Sequence, residues 1–225
     1  MPNILAIETS VTAASIALSI GDAPCTSKNF ESHRQQNQLL FPPLQQLLEL
    51  LPDGEKLDLI IIGTGPGSYS GSRISIAAAQ GIAAAHACDV VGQSSFLATN
   101  TFLDKREAIA VGDARRGSFF IAEVPKTSLP QEPKLMSRED FDAKLTQESR
   151  SIFTLDSNIQ FADGSSIPLE QPTAEKHILA WHMLSPEDQA VLRNTPPAPT
   201  YLRAPFITKA KPGHPLLRGK VNERK

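Results

Sequence analysis

Residues 58–87 combine an apolar strand, a glycine-rich turn and a helix of small residues, and this unit constrains the fold more than any other part of the chain. Residues 58–62 end in four consecutive large apolar residues, which predicts a strand that is covered on both faces. After the turn at 63–71, residues 72–87 are rich in Ile, Ala and Ser. Small side chains let another element approach closely, so this helix could pack on its own sheet, on another subunit, or on both.

The glycine-rich turn has two interpretations. Backbone amides without side chains can cradle an anion at a helix N-terminus, but Ser72 and Arg73 stand where the Walker pattern requires Lys followed by Ser or Thr. The Gly-x-Gly-x-x-Gly pattern fails as well. We therefore favour a tight structural turn over a nucleotide contact, and Arg73 is expected to brace it through several hydrogen bonds. The residues concerned in either interpretation are Gly65, Pro66, Gly67, Ser68 and Arg73.

The rest of the first half alternates strand and helix patterns. Strands are predicted at 4–7, 15–20, 26–32 and from residue 90, and a helix at 94–102. A second helix, at 35–51, follows from leucines at i, i+4, i+7, i+8 and i+11, which are Leu40, Leu44, Leu47, Leu48 and Leu51. Pro42 and Pro43 should kink this helix or mark its first regular turn.

The second half carries weaker signals. Strands are predicted at 108–111, 118–124 and 151–155, and helices at 138–145, at 173–184 and from residue 185, with the remainder of 125–150 as loop. The last twenty residues hold six Lys or Arg against one Glu, which predicts a solvated flexible tail.

A strand, a polar turn and a second strand occur twice, near residue 8 and near residue 113. The weak repeat suggests two lobes of related design. We therefore divide the chain into a first lobe at 1–106, a smaller second lobe at 107–195, and a C-terminal segment with its basic tail at 196–225.

Composition restricts the class of protein. A net charge of −2 and a pI near 6.2 argue against a chain whose main task is to grip a nucleic-acid backbone. Cys25 and Cys88 do not support a disulfide framework, and no apolar run approaches the roughly 20 residues of a membrane span. A protein of the cytoplasm, without membrane attachment, is expected.

Glu8 and Asp113, in the two repeated turns, are placed like the phosphate-site acids of the sugar-kinase, heat-shock and actin superfamily. Two carboxylates facing each other across a cleft could hold Mg²⁺, which gives the alternative of a small ATP-dependent kinase. That superfamily also binds adenosine through a glycine pair, and this chain contains no Gly-Gly dipeptide. We therefore interpret both acids as vestiges of a phosphate site.

The five histidines are expected to lie at the surface or at helix ends. His177 and His182 are five residues apart, so they do not form the i, i+4 pair of a helical metal site, and no metal is expected. A serine hydrolase lacks its Gly-x-Ser-x-Gly elbow.

Four segments resemble the TsaB family in order and approximate spacing: ILAIETS at 4–10, IIGTGPGSYSGSRISIAAAQGIA at 61–83, GDARRGSFF at 112–120 and PTYLR at 199–203. The resemblance is good over residues 1–124, poor over 125–195, and confined to the short Tyr-Leu-Arg motif afterwards. It implies an α/β fold of the actin-like type (ASKHA, ribonuclease H-like), with two lobes of mixed sheets flanked by helices.

The resemblance also implies a non-catalytic subunit that binds TsaD, the enzyme that transfers a threonylcarbamoyl group to the adenosine at tRNA position 37. An ATPase, TsaE, is expected to join the pair, and the chain alone is expected to form a homodimer through the same surface. tRNA would be reached indirectly. No cofactor is expected, although ATP or ADP could bind at an interface of the complex.

The TsaD-binding surface would be formed by the two helices of the first lobe. The expected contact residues on them are Leu40, Leu44, Leu47, Leu48, Ala77, Ala78, Gln80, Gly81 and Ile82. Three details depart from the family: Glu8 replaces the usual Asp, Tyr69-Ser70 replaces the commoner Phe-Thr, and the histidine before the first helix is out of register, with His33 a few residues early.

Overall fold

A computed structural model describes residues 1–31 and 36–203 of the chain. Its elements, in chain order, are β1 (Ile4–Glu8), β2 (Ala13–Ser19), β3 (Thr26–Glu31), α1 (Gln36–Leu48), β4 (Leu59–Gly63), α2 (Tyr69–His86), β5 (Asp89–Gln93), α3 (Asn100–Leu103), β6 (Ala108–Asp113), β7 (Phe119–Val124), β8 (Lys134–Met136), α4 (Arg138–Gln147), β9 (Ser151–Thr154), α5 (Ala174–Met183) and α6 (Pro186–Asn194). Among the described residues, no helix is long and apolar enough to cross a membrane.

Two mixed sheets repeat one arrangement. The first has the order β3-β2-β1-β4-β5, in which β1 pairs with β2 antiparallel and with β4 parallel. The second has the order β8-β7-β6-β9, in which β6 pairs with β7 antiparallel and with β9 parallel. The weak repeat in the sequence therefore corresponds to a repeated strand arrangement.

Three apolar layers follow from the alternation of side chains along the strands. On one face of the first sheet, Leu5 and Ile7 pack with buried residues of α1 and α2. On its other face, Ile4 and Ala6 share a core with α5 and with residues of the second sheet. α4 covers the outer face of the second sheet through Phe141.

α5 and α6 follow the second sheet in the sequence but pack on the first. α5 contacts β1, β2 and β4, and α6 contacts β5. The division into lobes at 1–106 and 107–195 stays a prediction, but these two helices of the second segment cover the first sheet. They close the side of that sheet that faces away from α1 and α2.

Several predicted bounds change in the structure. The prediction of a helix at 94–102 is correct only for its last residues, because α3 has four residues and begins after Thr99. The Thr99 side chain caps α3 by accepting from the Phe102 amide. α2 begins three residues early, at Tyr69, because Ser68 caps it by accepting from the Gly71 amide. α1 ends at Leu48 rather than at 51, and both prolines lie inside it.

Two further differences concern segments that the sequence describes poorly. The loop predicted over much of 125–150 contains the short strand β8, which is set by pairing with β7 and not by its own composition. The predicted helix start at residue 35, the early histidine His33 and the tail from residue 204 lie outside the described residues.

Candidate functional site

An open apolar groove of about 690 Å³ lies between α1 and α2. Its walls are side chains of both helices: Phe41, Leu48, Ile74, Ala77, Ala78, Gly81, Ile82, Ala85 and His86. Among these side chains, the Phe41 ring is 51% exposed. A soluble domain normally buries such a ring, so this face is a candidate binding surface for an apolar partner.

α1 has two apolar faces, and only one of them is available. Leu40, Leu44 and Leu47 are buried against the first sheet, while Phe41 and Leu48 point into the groove. The prediction that the three buried leucines contact a partner is therefore wrong, because the stripe they form is the core side of the helix. Leu48 remains available.

α2 presents the small residues as expected. Ala77, Gln80 and Gly81 are exposed, and Ala78 and Ile82 are half-buried. A Cβ added at Gly81 would meet no atom within 4 Å, so the backbone itself is open to a partner here. The sequence did not single out Phe41, Ile74, Ala85 or His86; for Phe41 the missed signal is its i, i+7 spacing to Leu48.

The glycine-rich turn packs tightly on the turn between β1 and β2. The Ser68 amide donates to the Ser10 carbonyl at 2.6 Å, and a Cβ at Gly67 would collide with that same carbonyl. A Cβ at Gly71 would collide with the Thr9 carbonyl. These contacts account for the glycines in structural terms; contact with a nucleotide stays a prediction.

Arg73 does not brace that turn as predicted. Its guanidinium is exposed, donates to the Tyr69 hydroxyl at 3.0 Å and stacks over the Tyr69 ring. The Tyr69 ring in turn packs on Tyr201, with centroids 5.3 Å apart. Arg73 therefore belongs to a cluster that ties the segment after α6 to the start of α2.

Glu8 is completely buried in a polar network rather than facing a cleft. Its carboxylate accepts from the Ser10 amide at 2.6 Å, from the Ser95 hydroxyl at 2.6 Å and from His177 Nε2 at 2.9 Å. Burial raises the pKa of Glu8, but the hydrogen bonds from His177, Ser95 and Ser10 outweigh it, and the pKa is lowered from its ordinary value.

His177 is buried too, which corrects the expectation that it lies at the surface or at a helix end. The Gln93 amide nitrogen lies 3.0 Å from His177 Nδ1 and 3.2 Å from its carbonyl. An amide nitrogen can only donate, so Nδ1 accepts and the proton on Nε2 faces Glu8. The network thus joins β1 to α5.

Asp113 lines a second cavity, a cleft of about 550 Å³ between the two sheets. Its carboxylate accepts from the Arg115 amide at 2.6 Å and pairs with the Arg115 guanidinium at 3.3 Å. Glu8 does not line this cleft. The predicted pair of facing carboxylates, on which the kinase alternative depends, is therefore wrong.

Sequence comparisons match this chain to proteins of one tRNA modification system. A family model described as TsaD, tRNA N6-adenosine threonylcarbamoyltransferase, matches residues 31–139. The tRNA threonylcarbamoyladenosine biosynthesis protein TsaB of Escherichia coli K12 is 30% identical over 126 residues, which cover 53% of this chain and 54% of that protein. The aligned part thus spans about half the length of this curated relative.

Solved structures match over more of the chain. A Pseudomonas aeruginosa protein described as similar to the peptidase YeaZ has 22% identity and a TM-score of 0.64, covering 90% of this chain and 100% of that one. YeaZ from Pseudomonas aeruginosa has 23% identity and a TM-score of 0.60, covering 80% and 90%. The predicted α/β fold, with mixed sheets flanked by helices, is confirmed, and so is the resemblance of this chain to the TsaB family.

Proposed function

We propose that this chain is a non-catalytic subunit that binds a TsaD-type protein and supports threonylcarbamoylation of tRNA adenosine. The observation that carries the proposal is the apolar groove between α1 and α2, which leaves Phe41 half exposed. The similarity to the relative named TsaB supports the part of the proposal that concerns tRNA modification, because the name of that protein assigns it to threonylcarbamoyladenosine biosynthesis.

The groove favours a partner of related fold. The match to the TsaD family model spans residues 31–139, which include both α1 and α2. A TsaD-type partner would therefore present an equivalent pair of helices, and related surfaces can pair about a pseudo-twofold axis. An ordinary interface of this kind buries on the order of 1,600 Å².

The remaining parts of the complex follow from the same proposal. A TsaE ATPase joins the pair, tRNA is held mainly by the partners, and ATP or ADP binds at an interface if a nucleotide is needed. In the absence of TsaD the groove pairs with a second copy of this chain. The buried position of Glu8 fits a subunit that does not itself transfer a phosphoryl group.

The test is light scattering after size exclusion on this chain, on the TsaD-type protein of the same organism, and on their mixture. Each sample is then assayed for threonylcarbamoylation of tRNA with the other components present. We expect a new heteromeric peak, and modification only when both proteins are there. Full modification by the TsaD-type protein without this chain would contradict the proposal.

A further inference from the structure

The apolar groove contains one polar ring, that of His86. It is the last residue of α2, is half-buried, and lines the end of the groove next to Ile82 and Ala85. Its Nδ1 lies 3.2 Å from the Leu57 backbone nitrogen, just before β4. The ring is therefore held in place by the backbone of its own lobe.

That hydrogen bond fixes which ring nitrogen carries the proton. A backbone N–H can only donate, so Nδ1 of His86 must offer its lone pair, and the neutral ring then carries its hydrogen on Nε2. Among the described residues, none accepts a hydrogen bond from this Nε2. In the described part of the chain, this N–H is therefore left to solvent.

A partner that covers the groove removes that solvent. A buried N–H without an acceptor weakens binding, whereas one that meets an oxygen contributes to it. We propose that His86 is a specificity determinant of this surface: its Nε2–H donates to a carbonyl, amide or carboxylate oxygen that the TsaD-type partner places at the end of the groove. The inference rests on the proposed function and names a contact within it.

The composition of the groove gives this contact its importance. Alanine, glycine and aliphatic side chains form the other lining residues of α2, and such a surface allows a partner helix to slide or to rotate. One directional hydrogen bond at a fixed position selects a single register, as isolated polar residues do in otherwise apolar helix pairs. His86 thus discriminates among apolar helices that would otherwise fit.

Two substitutions of His86 distinguish the role of Nδ1 from the role of Nε2. Asparagine can place its oxygen near the position of Nδ1, so His86→Asn keeps the acceptor for the Leu57 amide and loses the donor to the partner. Glutamine can reach the position of Nε2, so His86→Gln keeps the donor and loses the acceptor. The readouts are the dissociation constant for the TsaD-type protein and the thermal midpoint of each full-length variant.

We expect His86→Asn to weaken binding about tenfold at an unchanged midpoint, because one buried hydrogen bond is lost. His86→Gln should bind within about threefold of the unmodified chain, with a lower midpoint. If His86→Asn binds as tightly as the unmodified chain, or if affinity only follows the midpoint in both variants, His86 is a structural residue and the inference is wrong. If the unmodified chain does not bind the TsaD-type protein, the proposed function fails with it.

Discussion

Glu8 connects two segments that lie far apart in the chain. Its carboxylate lies against Gly63, where a Cβ would collide with it. From there it accepts the hydrogen bond of His177, 169 residues further along the chain. The acid therefore serves the packing of α5 on β1 and not the cleft.

Glu8→Gln is expected to destabilise the fold by about 1–3 kcal/mol, because an amide cannot accept from Ser10, Ser95 and His177 together as the carboxylate does. The measurement is urea unfolding at pH 7. Glu132→Gln is the matched control, since Glu132 is exposed and should change the free energy of unfolding by less than about 0.5 kcal/mol. Equal effects of the two substitutions would contradict a structural role for Glu8.

The difference in unfolding free energy between the unmodified chain and Glu8→Gln should depend on pH. Because the pKa of Glu8 is lowered in the folded state, its carboxylate contributes stability above the pKa of an unfolded glutamate, about 4.3. That contribution is lost as the pH falls from there through the folded pKa. The free energy difference between the unmodified chain and Glu8→Gln should thus be largest near pH 7 and shrink below about pH 4. A difference that does not vary with pH would mean that the charge is not what matters.

At the scale of elements, α1 has a core face and an exposed apolar face, and we propose that the exposed face contacts the partner. Leu44→Ala should destabilise the fold by about 2–5 kcal/mol, because Leu44 is buried against the first sheet. Phe41→Ala should change stability much less and weaken pairing with the TsaD-type protein, because the ring lines the groove. Urea unfolding and a binding titration of both variants test this; full affinity of Phe41→Ala would remove α1 from the interface.

A substitution in α2 tests more sharply whether the groove is the interface. Ala77→Arg puts a long charged side chain where a partner must approach closely, so binding should weaken by about a hundredfold or more. Stability should be unaffected, because the position is exposed and arginine is a good helix former. Ala143→Arg repeats the exchange at an exposed position of α4, away from the groove, and should bind normally. Normal binding by Ala77→Arg would place the interface elsewhere.

At the scale of the whole molecule, the sequence predicts local elements better than their surroundings. The strand β4 and the small-residue helix α2 can be recognised from consecutive residues of the sequence. The leucines of α1 form a visible stripe, but the face it covers depends on where the sheet lies. The expectation that Leu40, Leu44 and Leu47 contact a partner was therefore wrong. The pairing of Glu8 with His177 joins distant segments, and no local pattern carries that information.

The cleft between the sheets suggests two lobes that could move apart. The two sheets share one apolar core, however, and we therefore expect them to unfold together. Trp181 is the chain's single tryptophan, is 4% exposed, and lies in a cluster that includes Ile61 of the first sheet and Phe120 of the second. The Arg193 guanidinium lies 5.3 Å from its ring centroid. Loss of either sheet would therefore expose the same ring.

Trp181 fluorescence and far-ultraviolet circular dichroism should accordingly give coincident urea transitions in the unmodified chain, since one shared core makes unfolding cooperative. The residual fluorescence of Trp181→Phe controls for tyrosine emission, and its circular dichroism should keep a single transition at a lower midpoint. Two separated transitions in the unmodified chain would mean that each sheet is stable without the other. The cluster around Trp181 would then be a contact between independent lobes, and α5 would unfold with the first sheet alone.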